Sequence, residues 1–295
     1  GLDLTAGDPS VQPGNDFFRY CNGRWLDTTE IPSDQRSWGT FVILGEKASQ
    51  DQRVIIEETA LAGGVPGSSQ QRIAATYNAF LNTDAINARG LAPLQEDLAS
   101  IAALRTHEDV IRSMARNDIP TNGPIVAYAG LDARNPQRYV VTFTHAGLGL
   151  PEREYYRRAD GEANRAAYVA YIERVLTLGG QANGASKARS IMALETQIAE
   201  LHWPVADRRQ RDRTYNLKTR AELRAIAPNF PWDAGLEAAG MGEATEVVVR
   251  ELSAMAPLAQ LFLATPVATW RDYLTFNLIS GSADVLPSAI DDANF

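Results

Sequence analysis

Three histidines, His107, His145 and His202, and one cysteine, Cys21, are the side chains in this 295-residue chain best suited to metal binding or nucleophilic chemistry. A helical metal pair needs two ligands three or four residues apart, so that both lie on one face. No two of these histidines are so spaced, and no HExxH occurs. Glu195 and Glu200 precede His202 on a helical pattern, and a mixed Glu/His site can be drawn there. A histidine at a helix C-terminus, favoured by the helix dipole, is the plainer reading. His107, in the first turn of a polar helix, reads as solvated, and His145, before a glycine turn, as structural.

A catalytic triad needs Ser, His and a carboxylate brought together in space, which residue order alone leaves open. The chain has no G-x-S-x-G elbow, no Walker-type G-K-[ST] and no G-x-G-x-x-G. Gly147-x-Gly149 follows a strand-like run, but Leu150-Pro151 stand where a third glycine would be needed. Cys21 has no neighbouring base and reads as a small buried hydrophobe; being alone, it forms no intrachain disulfide. From the residues themselves, no catalytic and no metal-ligating position is assigned in this chain.

The elements that would position any site are mostly helices. Asp16 or Asn15 can cap a short helix from Phe17 to Asn22, with Gly23 breaking it and Trp25-Leu26 opening an extended piece to Ile31-Pro32. A helical pattern starts at Phe41 and ends before the Ala62–Ser69 loop. Helices follow around Ile73–Leu81, after Pro93, and from a Thr106/Asp109 capping box. Ile125–Ala129 and Tyr139–Thr144, split by a polar turn, predict a β-hairpin. Long helices are expected over 164–178, closed by Gly179-Gly180, and over 187–201, with a last one over 270–286. The fold class is therefore mainly α, with one small β-hairpin and an extended N-terminal segment.

Composition is that of a globular protein, 45% hydrophobic and 22% charged. The net charge of −8 argues against nucleic acid as a main partner, since phosphate binding wants clustered Lys and Arg. No apolar run is long enough to span a bilayer. Gly1-Leu2-Asp3 carries no signal-peptide features, so a processed N-terminus is expected.

Several motifs in order point further. PGNDFFRYCNGRWL (13–26), EIPSD (30–34) and GTF (39–41) resemble the start of the neprilysin family of zinc metallopeptidases. YNAFLNTDAINARGLAPL (77–94) resembles that family's first cap helix, and LGLPEREYY (148–156) resembles its GL-x-LP-x-RDYY signature. ALETQIAELHWP (193–204), RDRTYN (211–216) and TWRDYLTFNLI (269–279) continue the likeness over nearly the whole chain.

The resemblance implies a two-lobed, largely helical metalloendopeptidase acting on oligopeptides in a closed chamber. It implies that residues 1–45 associate with a catalytic lobe and residues 46–295 form a helical cap, incomplete at its C-terminal end. The Zn²⁺ site of the family, HExxH plus a glutamate, and its Asn-Ala-aromatic substrate strand would lie beyond residue 295. Asn78-Ala79-Phe80 imitates that strand but falls in the first cap helix. Some mammalian members hold a substrate carboxylate with an arginine two residues before the glycine of G-x-F, and carry an aspartate after the Phe. Those positions are Ser37 and Val42 here, and Arg36, one residue off, is the candidate substrate-binding residue. This favours a plain endopeptidase over dipeptide release. The lone cysteine fits a bacterial, extracytoplasmic member, periplasmic or secreted. Phe295 looks like a break within the family's polypeptide, and nicking, with the C-terminal catalytic portion of the same precursor as partner, is the favoured explanation. The alternative is a non-catalytic helical peptide-binding protein on the same fold.

Overall fold

The computed structural model describes residues 3–294. Gly1, Leu2 and Phe295, on which the processed start and the break were read, lie outside the described residues. The chain divides into two compact units, one ending at Leu81 and one beginning at Asn82.

The first unit holds α1 (Phe17–Thr28), α2 (Thr40–Ala62) and α3 (Ser69–Leu81). Asp16 caps α1 as expected, its carboxylate accepting from the Arg19 amide at 2.8 Å. Gly23 does not break the helix, and Trp25-Leu26 are helical. The reason is a close approach: a Cβ at Gly23 would stand 2.6 Å from the Asp8 Cβ of the N-terminal arm. The arm is pinned there by the Asp8 amide donating to Tyr20 O at 3.0 Å. A helical glycine costs about 1 kcal/mol against alanine, offset here by docking the arm. α2 packs on α3, and Tyr77 donates to Glu57 at 3.1 Å across them.

The second unit starts with α4 (Thr83–Arg89), α5 (Gln95–Ala103) and α6 (His107–Met114). The Thr106/Asp109 capping box is formed, each side chain bonding the other's backbone. Strands β1 (Ile125–Leu131) and β2 (Tyr139–His145) make the expected antiparallel hairpin. Then come α7 (Arg153–Arg157), α8 (Glu162–Leu178), α9 (Gly184–Leu201) and α10 (Val205–Arg208). β3 (Asn216–Thr219), α11 (Arg220–Ile226), α12 (Trp232–Ala238) and β4 (Glu246–Val249) follow. α13 (Leu252–Ala264), α14 (Val267–Gly281) and α15 (Ser288–Asn294) complete the chain. The expected helix over 270–286 is shorter, ending at Gly281.

The hairpin does not stand alone. β3 and β4 join it in a four-stranded sheet of order β1-β2-β4-β3, with β2 and β4 parallel. Four-residue strands are too short to show alternation in sequence. Val141, Phe143, Val247 and Val249 turn one face of the sheet into the core, against Trp232 and the aromatic group of Phe262, Trp270 and Tyr273 on α13 and α14.

Candidate functional site

Two of the sequence motifs meet at a buried carboxylate. Glu195 lies on α9, on the same inward stripe as Ile191, Leu194 and Ile198, and is 1% exposed. It accepts from Tyr156 Oη at 2.5 Å, from Tyr168 Oη at 2.9 Å and from the Gly149 amide at 3.0 Å. Tyr156 Oη in turn accepts from the Leu150 amide at 2.8 Å. Burial pushes the Glu195 carboxyl up from its ordinary range, opposed by those three donors, and pushes both phenols up. A Cβ at position 149 would meet Tyr168 Oη at 1.8 Å, so only glycine lets the turn approach this cage.

Beside it, His145 at the end of β2 and His202 after α9 stack at 3.7 Å between ring centroids. Both are buried. The Trp203 amide donates to His145 Nε2 at 3.2 Å, which places the His145 proton on Nδ1. His202 Nε2 donates to Ala146 O at 3.0 Å. Arg153 Nη1 donates to His202 O at 2.6 Å, tying α7 to the end of α9. Desolvation lowers both imidazoles to about 3, with Arg208 adding to the effect on His145 and the neighbouring imidazole to that on His202. His202 is therefore a neutral ring bound to a loop carbonyl, not a cation stabilised by the helix dipole. Its partners also differ from those of Glu195, so the drawn Glu/His metal site is not formed. His107 is likewise not solvated: it is half-buried, donates through Nε2 to Thr265 O at 2.9 Å and meets Phe262 edge-on.

The stacked pair borders a cleft of about 230 Å³ together with Asn122, Arg153 and Arg208. Behind it Glu251, fully buried, accepts from Thr144 Oγ1 at 2.8 Å and from Arg208 Nε at 3.3 Å. Zinc needs three or four lone pairs converging on one point. Stacked rings direct their lone pairs within roughly parallel planes, and the Glu251 oxygens are already engaged. No group of three or more His, Cys, Asp or Glu suited to a metal ion occurs among the described residues. The residues present do not fit the family's metal. The side-chain partners of the three histidines are backbone groups, so no acid–base dyad forms either. What this arrangement does is hold the Gly147–Pro151 turn, β2 and the end of α9 in one rigid junction. The sequence reading missed this junction, because residue spacing carries no signal for a stack between distant segments.

Arg36 is exposed, in the segment between α1 and α2. Cys21 is exposed on α1, not a buried hydrophobe, because α1 keeps only Gly23 covered. Asn78-Ala79-Phe80 lies in α3 with Phe80 half exposed, as its rejection as a substrate strand requires.

The family model of peptidase family M13 matches residues 13–295. The chain belongs to peptidase family M13. The neprilysin-like resemblance carried by its motifs is thus the right one. Among M13 relatives, human endothelin-converting enzyme-like 1 is 30% identical over 292 residues, covering 92% of this chain and 37% of the relative. Rat endothelin-converting enzyme 1 is 24% identical over 99% of this chain and 40% of its own length. The chain thus spans about two fifths of the curated M13 relatives it matches. Among solved structures, Mycobacterium tuberculosis zinc metalloprotease Zmp1 in complex with an inhibitor superposes with a TM-score of 0.88 at 34% identity, over 100% of this chain and 46% of that one. PepO from Lactobacillus rhamnosis superposes at 0.70 with 14% identity, a likeness of fold alone.

Proposed function

We propose that this chain is the N-terminal and cap portion of a zinc-dependent metalloendopeptidase that hydrolyses oligopeptides in a closed chamber. The Zn²⁺ and its ligands belong to a C-terminal catalytic portion of the same precursor, and residues 1–45 dock on that portion while residues 46–295 form the cap. Family membership and the likeness to a zinc metalloprotease support this reading.

The observation that carries the proposal is the bareness of the first unit. Among its described residues only Gly23 and Ala74 are buried. Phe41 is 92% exposed, and Phe17, Phe18, Ile31 and Leu44 are each more than half exposed. Burying one such side chain is worth about 1.5–3 kcal/mol, and so large an apolar surface marks an interface. A catalytic lobe of the same protein is the partner that accounts for it.

Arg36 is the proposed contact to substrate in this chain, and the whole protein acts outside the cytoplasm. No single described helix is long and apolar enough to cross a membrane. The deciding experiment is peptide hydrolysis by the protein containing this chain together with its C-terminal portion. Loss of activity in EDTA, restored by Zn²⁺, is expected; activity unchanged in EDTA rejects the proposal. Arg36→Ala should raise KM for peptide substrates and leave kcat unchanged.

A further inference from the structure

The sheet has a second face, and a groove runs over it. Tyr128 and Gly130 of β1, Val140 and Thr142 of β2 and Val248 of β4 alternate with the core-facing residues and point away from them. They align in register: Tyr128 opposite Thr142 and Thr142 beside Val248, with Gly130 opposite Val140. The hairpin tip at Arg134 and the turn through Arg211 and Tyr215 rise over this face, leaving a groove of about 430 Å³. Its size falls within the range of ligand clefts.

We infer that this groove binds an acidic peptide segment, seating an apolar side chain over Gly130 and carboxylates on the arginines of its rim. The floor is apolar where Val140 and Val248 are 7% and 4% exposed, and Tyr128 stands 43% exposed beside it. At Gly130 the floor is hollow. A Cβ built there would meet only the Tyr128 ring, at 3.5 Å, so the backbone does not demand glycine and the space is unfilled.

The rim is cationic on a chain whose net charge is −8. Arg134, Arg211 and Arg250 line the groove against a single acid, Asp212. Arg134 lies 3.9 Å from Asp212, and Arg250 lies 3.9 Å from Glu251, both too long for hydrogen bonds. The Arg134 guanidinium rests 4.4 Å above the Tyr215 ring, which orients it. Tyr215 is itself fixed by donating to buried Asp132 at 2.9 Å. Planar guanidinium forks suit carboxylates, which they bind bidentately. The aliphatic floor suits a peptide side chain better than a stacked base. The inference is independent of whether the intact protein hydrolyses peptides.

The test measures fluorescence anisotropy of a labelled peptide alternating Glu with Phe and Leu, and of its Lys counterpart, against the full chain. The expected result is at least tenfold tighter binding of the acidic peptide, weakening with salt. Arg134→Glu with Arg211→Glu, and separately Gly130→Leu, should each weaken it at least tenfold while circular dichroism and the melting temperature stay unchanged. Equal binding of the two peptides, a smaller effect of either change in folded protein, or equal binding of a single-stranded oligonucleotide overturns the inference. If Gly130→Leu fails to fold, the exposed arginine pair decides alone.

Discussion

His145 and His202 lie ring on ring, joined through the Trp203 amide on one side and Ala146 O on the other. Both are held neutral, lowered to about 3 by burial, in the neighbourhood of Arg208, Arg250, Arg153 and buried Glu251. In the unfolded chain they would titrate near 6.5. The unfolded state therefore takes up protons first, and stability that is complete above pH 6.5 is lost as pH falls toward 3. At pH 5 the loss approaches about 2 kcal/mol for each ring. Melting temperature should fall between pH 7.5 and pH 5, and His145→Asn combined with His202→Gln should flatten that slope. A pH-independent melting temperature in the unmodified chain would contradict the neutral stack.

Glu195 is the acceptor on which the turn and two tyrosines depend. Glu195→Leu leaves the buried Tyr156 and Tyr168 phenols without their acceptor and releases the Gly149 amide. Unsatisfied buried donors cost about 1–3 kcal/mol each, so a loss of more than about 3 kcal/mol is expected in urea unfolding. Glu195→Gln keeps one acceptor oxygen and should cost clearly less. Equal losses for Leu and Gln would mean that shape, not hydrogen bonding, governs the cage.

Gly149→Ala tests the close approach directly. Its methyl would overlap Tyr168 Oη, and overpacking of a buried contact costs about 1–3 kcal/mol. Gly130→Ala, on the groove face, meets nothing closer than 3.5 Å and should be neutral. The pair of melting curves separates a required glycine from a permitted one.

Phe41 is the most exposed aromatic of the first unit. Phe41→Ser should leave the stability of this chain within about 0.5 kcal/mol, as surface changes do. In the protein that also contains the C-terminal portion, the same change should lower both melting temperature and peptide hydrolysis. Equal behaviour in the two settings would remove the case for a covered interface.

Much of the fold was legible because its signals are local. The Thr106/Asp109 box, the Gly179-Gly180 end of α8, with Gly180 at φ 71°, and the hairpin turn around Asn135 each write their geometry into a few adjacent residues. What escaped depends on distant partners. Gly23 stays helical because Asp8 lies against it. Val247–Val249 become a strand because β2 offers them an edge. The histidine stack unites two segments that no spacing rule connects. The exposed aromatics of the first unit were foreshadowed by its aromatic density, since such side chains need a surface to anchor on.

The parallel pairing of β2 with β4 sets an order of assembly. The β1–β2 hairpin closes through neighbouring residues, but β2 cannot gain its second neighbour until the whole helical stretch from α7 to α12 has been synthesised and folded back. Closing so long a loop is entropically slow compared with forming a hairpin or a helix. Until Val249 leaves the ribosome, β2 presents an unpaired edge, the kind of surface on which strands of other chains add. In hydrogen exchange during refolding, amides of the β2–β4 pair should therefore gain protection after those of the hairpin.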